Sequence, residues 1–466
     1  MRLGPAHEWA PASGDVVCWA PSERSLAAAA VAPPHPVGPS FLQHDHISST
    51  LRHREAGREH RGFTCSVITV HDDLDTERMT TALTDFVRAH EGLRSSFRLN
   101  GSAVTRYVVD VEDVAFTTMT LGAIDPHQHL AQRLPISAVF DSWPGCAFGA
   151  VVRPGSFDLY YGVDHAYGDG ASQILGIAEI LARYRGLPDD PLVTHTHDSF
   201  LDHVAAEATC AAQVSAHSPG VAEWRRVLGR SGGTIPAFPL PLGLDSDDGG
   251  VVIPQPVYVD ADILADSETT TRLATLANGH QTSMTAVIYA ALGLALRSVA
   301  DAEWYATAAV VSTRRADHYA GSQGWFCNFA PVGFEVAGDT LEDVLDDAAA
   351  ALARSRAAAS VPVHAALGVL LAEGAIDPAV VASPQMVTYL DLRWFPTPPN
   401  TTDLLVFTGE GRTSNASLWI TRDEDGLRII TQRPDNPVAS DSVSRWFRTL
   451  RDILAAAVAA NTVEVS

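Results

Sequence analysis

The stretch LYYGVDHAYGDG at 159–170 holds a lone imidazole, His165, with Asp169 and Gly170 four and five residues after it. An imidazole titrates near neutrality, so a positioned one can take the proton of a hydroxyl as that hydroxyl attacks a carbonyl. If the carbonyl belongs to a thioester, the leaving group is already good, and neither a covalent enzyme intermediate nor a metal is needed. The bland alternative is a turn that happens to contain a histidine. Asp169 can be read as the second member of a dyad, but its place just before a helix predicts a structural role. A carboxylate there accepts from free N–H groups and suits the helix dipole. Gly170 is expected where a Cβ has no room or where φ is positive. Tyr167 and Gly168 are candidates for lining a substrate channel. A tetrahedral oxyanion needs donors, which main-chain N–H groups at 168–170 or the hydroxyls of Ser414 or Ser417 could supply; ordinary turn serines are the competing reading.

The elements that must hold these residues are legible from periodicity. DVVCW (15–19) and FTCSVITV (63–70) read as strands, and 76–93 as a helix with Met79, Leu83, Phe86 and Val87 on one face. After a strand at 106–111 comes a hairpin, 146–153 and 157–164, closed by Pro-Gly-Ser. Beyond Gly170 the pattern turns helical through Ile174, Leu175, Ala178, Ile180 and Leu181, ending near 184–186. His165 thus falls in a strand-to-helix loop, held firmly yet reachable. The first 40 residues, rich in Pro, Ala and Gly, are expected to wrap the surface apart from the short strand. Residues 187–250 are broken by Pro, Gly and Asp around a helix near 199–228 and read as a crossover. The second half repeats the outline: helices at 268–279 and 284–298, strands at 305–311, 330–336, 385–392, 403–409, 416–422 and 427–432, and helices at 340–358 and 440–460. Strands with separate helices, twice over, predict an α+β protein of two lobes, 1–190 and 251–466, joined by the crossover segment 191–250.

Composition removes whole classes of function. Hydrophobic residues make up 46% and charged residues 19%, the balance of a folded protein. A net charge of −23 argues against nucleic-acid partners. All 32 basic residues are arginines, so Schiff-base chemistry and a lysine-bearing phosphate loop drop out. The five cysteines form no C-x-x-C pair. The first residues lack a basic and then apolar leader, and no run of 18 uncharged apolar residues predicts a membrane span. A cytoplasmic monomer is the expectation. HTHDSFLDH (195–203) offers His195, His197 and His203, but spacing alone is weak evidence for zinc, and no metal is expected. QHDH (43–46) is read as surface or loop. RHREAGREHRG (52–62) is a basic cluster, with Arg54 and Arg58 one turn apart; it could meet phosphates, but a solvated face is the preferred reading.

With its lead-in hairpin and lead-out helix, His165-x-x-x-Asp169-Gly170 resembles the motif of the condensation-domain superfamily, whose lobes are like chloramphenicol acetyltransferase. LTDFVRAHEGLRSSF (83–97) and GSQGWFCNFAPVGF (321–334) resemble two further segments of it. Within the superfamily the chain is most similar to the polyketide-synthase-associated acyltransferases of actinobacteria that assemble acylated trehalose lipids. EWAPASGDVVCW (8–19), GTIPAFPLPLG (233–243), STRRADH (312–318), QGWF (323–326) and RPDNPVASDSV (433–443) carry that likeness. The resemblance implies two lobes meeting in a V, with a tunnel admitting an acyl thioester and a hydroxyl acceptor. It implies His165 as general base, and Asp169 turned from the substrate to pair with an arginine, for which Arg94 and Arg314 are candidates. It places Trp325 and Asn328 near the substrate, though a buried aromatic and a satisfied amide explain them equally. No cofactor is implied; acyl-CoA or a carrier-protein phosphopantetheine thioester is a co-substrate, and a sugar or lipid-polyketide hydroxyl is the acceptor. Two departures stand out. Asp164 occupies a position where many relatives have a second histidine, and GEGRTSNASLW (409–419) replaces the usual Asp-Phe-Gly-Trp-Gly element. The competing functions are an amide-forming condensation enzyme and a catalytically silent module that binds a carrier protein.

Overall fold

The structure is a computed structural model that describes residues 1–463 except 102, 195, 196, 248, 249, 251, 315 and 377–383; for 316, 317 and 461–463 it describes the main chain alone. It is α+β, and the chain divides into two compact units. Met1–Thr209, Thr313–Cys327 and Trp394–Gly409 form the first; Cys210–Ser312, Asn328–Arg393 and Glu410–Ser466 form the second. A split into 1–190, 191–250 and 251–466 therefore differs from the observed one in two ways. The crossover helices join units instead of standing apart, and two segments of the second half belong with the first.

The first unit is built on a seven-stranded sheet. Its order is Arg2–Leu3, Thr401–Thr408, Phe63–Val70, Ser156–Asp164, Cys146–Arg153, Asp15–Pro21, Phe116–Gly122. The strand Ser156–Asp164 lies mid-sheet and pairs antiparallel on both sides, Phe63 opposite Asp164 and Cys146 opposite Val163. Both neighbours hydrogen-bond it to its last residues, so the chain leaves the sheet at a defined point. Helix Gly170–Arg185 follows after one 3-10 turn, His165–Tyr167. Ile174, Ile177, Ile180 and Leu181 on this helix are fully buried, each contributing about 1.5–3 kcal/mol. Gly186, at φ 64°, closes the helix in the left-handed conformation that glycine adopts most easily. The expected strands at 15–19, 63–70, 146–153 and 157–164 are all present within a residue or two.

The first 40 residues are more ordered than their composition predicted. Glu23–Val31 is a helix capped by Ser22, and Trp9 is buried in the core. Residues 41–55 are helical as well, and their start is fixed by a capping box between Ser40 and Gln43.

The second unit has its own seven-stranded mixed sheet: Cys327–Glu335, Trp304–Ser312, Met386–Asp391, Ser417–Arg422, Gly426–Pro434, Gln255–Asp266 and Arg412–Thr413. Helices Met284–Ala300, Leu341–Ala358 and Pro437–Val463 contribute to its core through residues such as Leu292, Leu345 and Trp446. No single helix among the described residues is long and apolar enough to cross a membrane.

Candidate active site

His165 is the first residue off the end of the central strand. Its N–H donates to the Gly62 carbonyl at 2.9 Å, which anchors the main chain to the segment before Phe63–Val70. The Trp325 ring covers the imidazole, with centres 4.0 Å apart and planes 34° apart. Nδ1 is buried with no partner from another residue, and its own main-chain carbonyl is the group it meets. Nε2 has no hydrogen-bond partner among the described residues and remains accessible. Burial, and then the nearby His46, lower the His165 pKa below the ordinary imidazole value, against opposing pulls from its own carbonyl, Asp169 and Asp164. A free imidazole with one open ring nitrogen can accept a proton at neutral pH.

Asp169 faces away from that nitrogen. Oδ1 accepts from the Ser172 N–H at 2.7 Å, capping helix Gly170–Arg185, and Oδ2 accepts from the Phe326 N–H at 2.9 Å. The Arg314 guanidinium lies 3.7 Å from Oδ1, donates to Ser172 Oγ at 2.8 Å and stacks over Phe326 at 4.4 Å. Ser172 Oγ donates in turn to the Gly324 carbonyl at 2.6 Å. The motif loop and residues 313–327 are thereby tied into one polar network, which also sets Trp325 against His165. Of the two candidate arginines, Arg314 is beside Asp169. Arg94 instead donates to the Val109 carbonyl at 2.7 Å.

Several candidates take other places. Tyr167 does not line an open channel: it is 2% exposed, stacks on Phe97 and donates its hydroxyl to the Phe140 carbonyl. Gly168 packs beside Val163 and Ser172. Gly170 is not required by crowding or by φ, since a Cβ there meets nothing within 4 Å and its φ is ordinary. It is the first residue of its helix, where N–H groups have no intrahelical partner, so its main chain stays a candidate oxyanion donor. Asn328 is buried in the second unit, donating to the Ala359 and Val361 carbonyls and accepting from Phe329 and Val363 N–H groups; its amide is fully engaged in structure. Ser414 and Ser417 also belong to the second unit, where Ser417 Oγ accepts from the Met386 N–H. His195 lies outside the described residues. His203 lies 3.2 Å from Thr313 Oγ1 and stacks on Phe200.

The residues that the sequence reading missed are His46 and His60. QHDH is helical and only partly surface: His44 and Asp45 are exposed, whereas Gln43 is fully buried in helix Phe41–Glu55 and donates to the Ala166 carbonyl at 2.6 Å. His46 Nε2 lies 2.9 Å from Asp164 Oδ1, and His60 Nε2 lies 3.1 Å from Oδ2. Burial alone would push the Asp164 carboxyl up, but His46 and His60 hold it well below the usual carboxylate range. The inward residues of 41–55 are Gln43, Ile47 and Thr50, a mostly polar register that gives periodicity no apolar stripe to mark the helix. The basic cluster is largely solvated, and Arg54 pairs with Asp141 at 2.7 Å.

Three comparisons bear on this arrangement. A family model described as "Condensation domain" matches residues 53–370. The 2'-acyl-2-O-sulfo-trehalose (hydroxy)phthioceranyltransferase PapA1 of Mycobacterium tuberculosis is 27% identical, over 97% of this chain and 89% of that protein. Acyltransferase PapA3 of the same organism is 25% identical, over 97% and 96%. Among solved structures, the PapA2 acyl transferase superposes with a TM-score of 0.88 at 21% identity, covering 98% of this chain and 100% of that one. The condensation domain of the Monacolin K polyketide synthase MokA superposes at 0.69 with 16% identity, covering 91% and 98%; these two likenesses show the fold.

Proposed function

We propose that this chain, which belongs to the condensation-domain family and is an acyltransferase, moves an acyl group from a thioester to a hydroxyl of a trehalose-type sugar or a lipid-polyketide acceptor, with His165 as general base. The observation that carries this reading is the His165 ring itself: Nδ1 is closed off, one face is covered by Trp325, and Nε2 is left open on a ring whose burial favours the neutral form. The acceptor hydroxyl gives its proton to Nε2 as its oxygen bonds to the thioester carbon. The resulting tetrahedral oxyanion is stabilised by a main-chain donor such as the Gly170 N–H. Collapse breaks the carbon–sulfur bond, and the departing thiolate takes the proton back from the imidazolium. Ester and free thiol are the products, with no acyl-enzyme between. The donor is acyl-CoA or an acylated carrier protein, and the trehalose named for relatives supports a sugar acceptor.

The test is a panel of acyl-CoA and carrier-bound thioesters offered with trehalose, sulfated trehalose, a long-chain alcohol or a matching amine, with a chelator present throughout. Thiol release coupled to a sugar ester in the mass spectrum is the expected result. An amide as the main product would make the chain an amide-forming condensation enzyme. Thioester binding with no thiol release under any pairing would make it a silent carrier-binding module.

A further inference from the structure

Asp164 ends the central strand with a fully buried carboxylate, and the base step makes no use of it. Its Oδ1 accepts from the Ala166 N–H at 2.8 Å as well as facing His46, and its Oδ2 faces His60. The imidazoles come from different stretches, His46 from helix Phe41–Glu55 and His60 from the residues between that helix and Phe63–Val70. They reach one carboxylate because residue 62 is glycine. A Cβ there would overlap the His46 ring and come within 3.1 Å of His60. His46 also faces the base: its ring centre is 6.1 Å from that of His165 and 5.9 Å from that of Trp325.

A carboxylate taken out of water needs a positive partner, and an imidazole within hydrogen-bond reach of one gains a proton more readily. His165 has no such neighbour at Nε2. Asp169 acts on it only from a distance, because its oxygens are held by Ser172, Phe326 and Arg314. Arg54 acts on Asp164 from further off, while pairing with Asp141; Tyr167 is held a neutral phenol by burial, its hydroxyl on the Phe140 carbonyl.

We propose that Asp164 and His60 hold His46 in a positioning cluster through which His46 keeps His165 a free base. Charge drawn to the His46 ring by the buried Asp164 carboxylate, with ring centres 6.1 Å apart, resists a proton on His165. The proposal rests on His165 being the base, and it gives the residue at the usual place of a second histidine a function of its own. The three residues touch no reacting atom; they act through the ring beside them.

The experiment is a titration of the full chain with isotope-labelled histidine, without substrate, following the imidazole signal of His165, identified by its absence in His165→Ala. In the native protein His165 should titrate below the ordinary imidazole value. In His46→Gln the titration of His165 should move up by about one pH unit, the size of effect expected of a charge lost at this range. The acid limb of acyl transfer should move with it: roughly tenfold slower below that limb, and within about threefold of the native rate at high pH. A merely structural role would lower the rate at every pH and leave the His165 titration in place. A native His165 that titrates at or above the ordinary imidazole value overturns the proposal, and this arm stands even if the variant fails to fold. So does an unmoved His165 titration in a folded His46→Gln. Because the titration needs no donor, the expected His165 titration in a chain inert to every thioester would sink the acyl-transfer reading alone.

Discussion

Asp169 illustrates how far a single residue can be read. Its place before a helix foretold the cap, and a cap it is, but its second oxygen reaches Phe326, more than 150 positions away in sequence. Nothing local signals such a partner, and for the same reason spacing could not choose between Arg94 and Arg314. Asp169→Ala removes the cap, strands the Phe326 N–H and takes the nearby carboxylate from the buried Arg314, a loss of roughly 2–4 kcal/mol in denaturant unfolding. Turnover should fall with it, because Trp325 and the motif loop lose their tie. An Asp169→Ala protein with native stability and no chemistry would make the carboxylate catalytic. Gly170 shows the opposite limit. Glycine permits many conformations, and its presence in the motif does not reveal which freedom is used; the structure shows neither crowding nor positive φ.

At the scale of elements, the hairpin and helix around His165 were legible because their apolar periods are long and uninterrupted. Alternation cannot say which sheet a strand joins. The strand predicted at 403–409 exists as Thr401–Thr408, yet it pairs with Phe63–Val70 in the first unit. Helix Phe41–Glu55 was hidden because its inward residues are polar: Gln43 and Thr50 are buried beside Ile47, so no apolar stripe marks it. The junction between this helix and the first-unit sheet makes its own prediction. In Gly62→Ala the new methyl must displace His46 or shift the carbonyl that holds the His165 N–H. A stability loss of about 1–3 kcal/mol, typical of overpacking, should accompany a clear drop in turnover. A Gly62→Ala enzyme matching the native one in both respects would show that the close packing of Gly62, His46 and His165 has no bearing on the site.

For the whole molecule, composition did its work by exclusion. The absence of lysine and the net charge of −23 left few classes of chemistry open, and the motif with its resemblance selected among them. The division into two α+β units was foreseen, but not the exchange of segments 313–327 and 394–409 into the first. Contacts between residues so far apart in sequence leave no trace in periodicity. That exchange matters to function, because residues 313–327 bring Trp325 and Arg314 to the motif. The central claim remains that His165 is the base, and its most direct test is the pH dependence of acyl transfer in the native chain and in His165→Ala. The native rate should be flat above neutrality and fall on acidification through one ionisation below the ordinary imidazole value, since burial and His46 favour the neutral ring. His165→Ala should fold and bind the donor thioester almost as before, lose about 10²–10⁴ in rate, and lose that limb entirely. A His165→Ala protein that transfers acyl groups at the native rate, with the acid limb intact, would contradict the account.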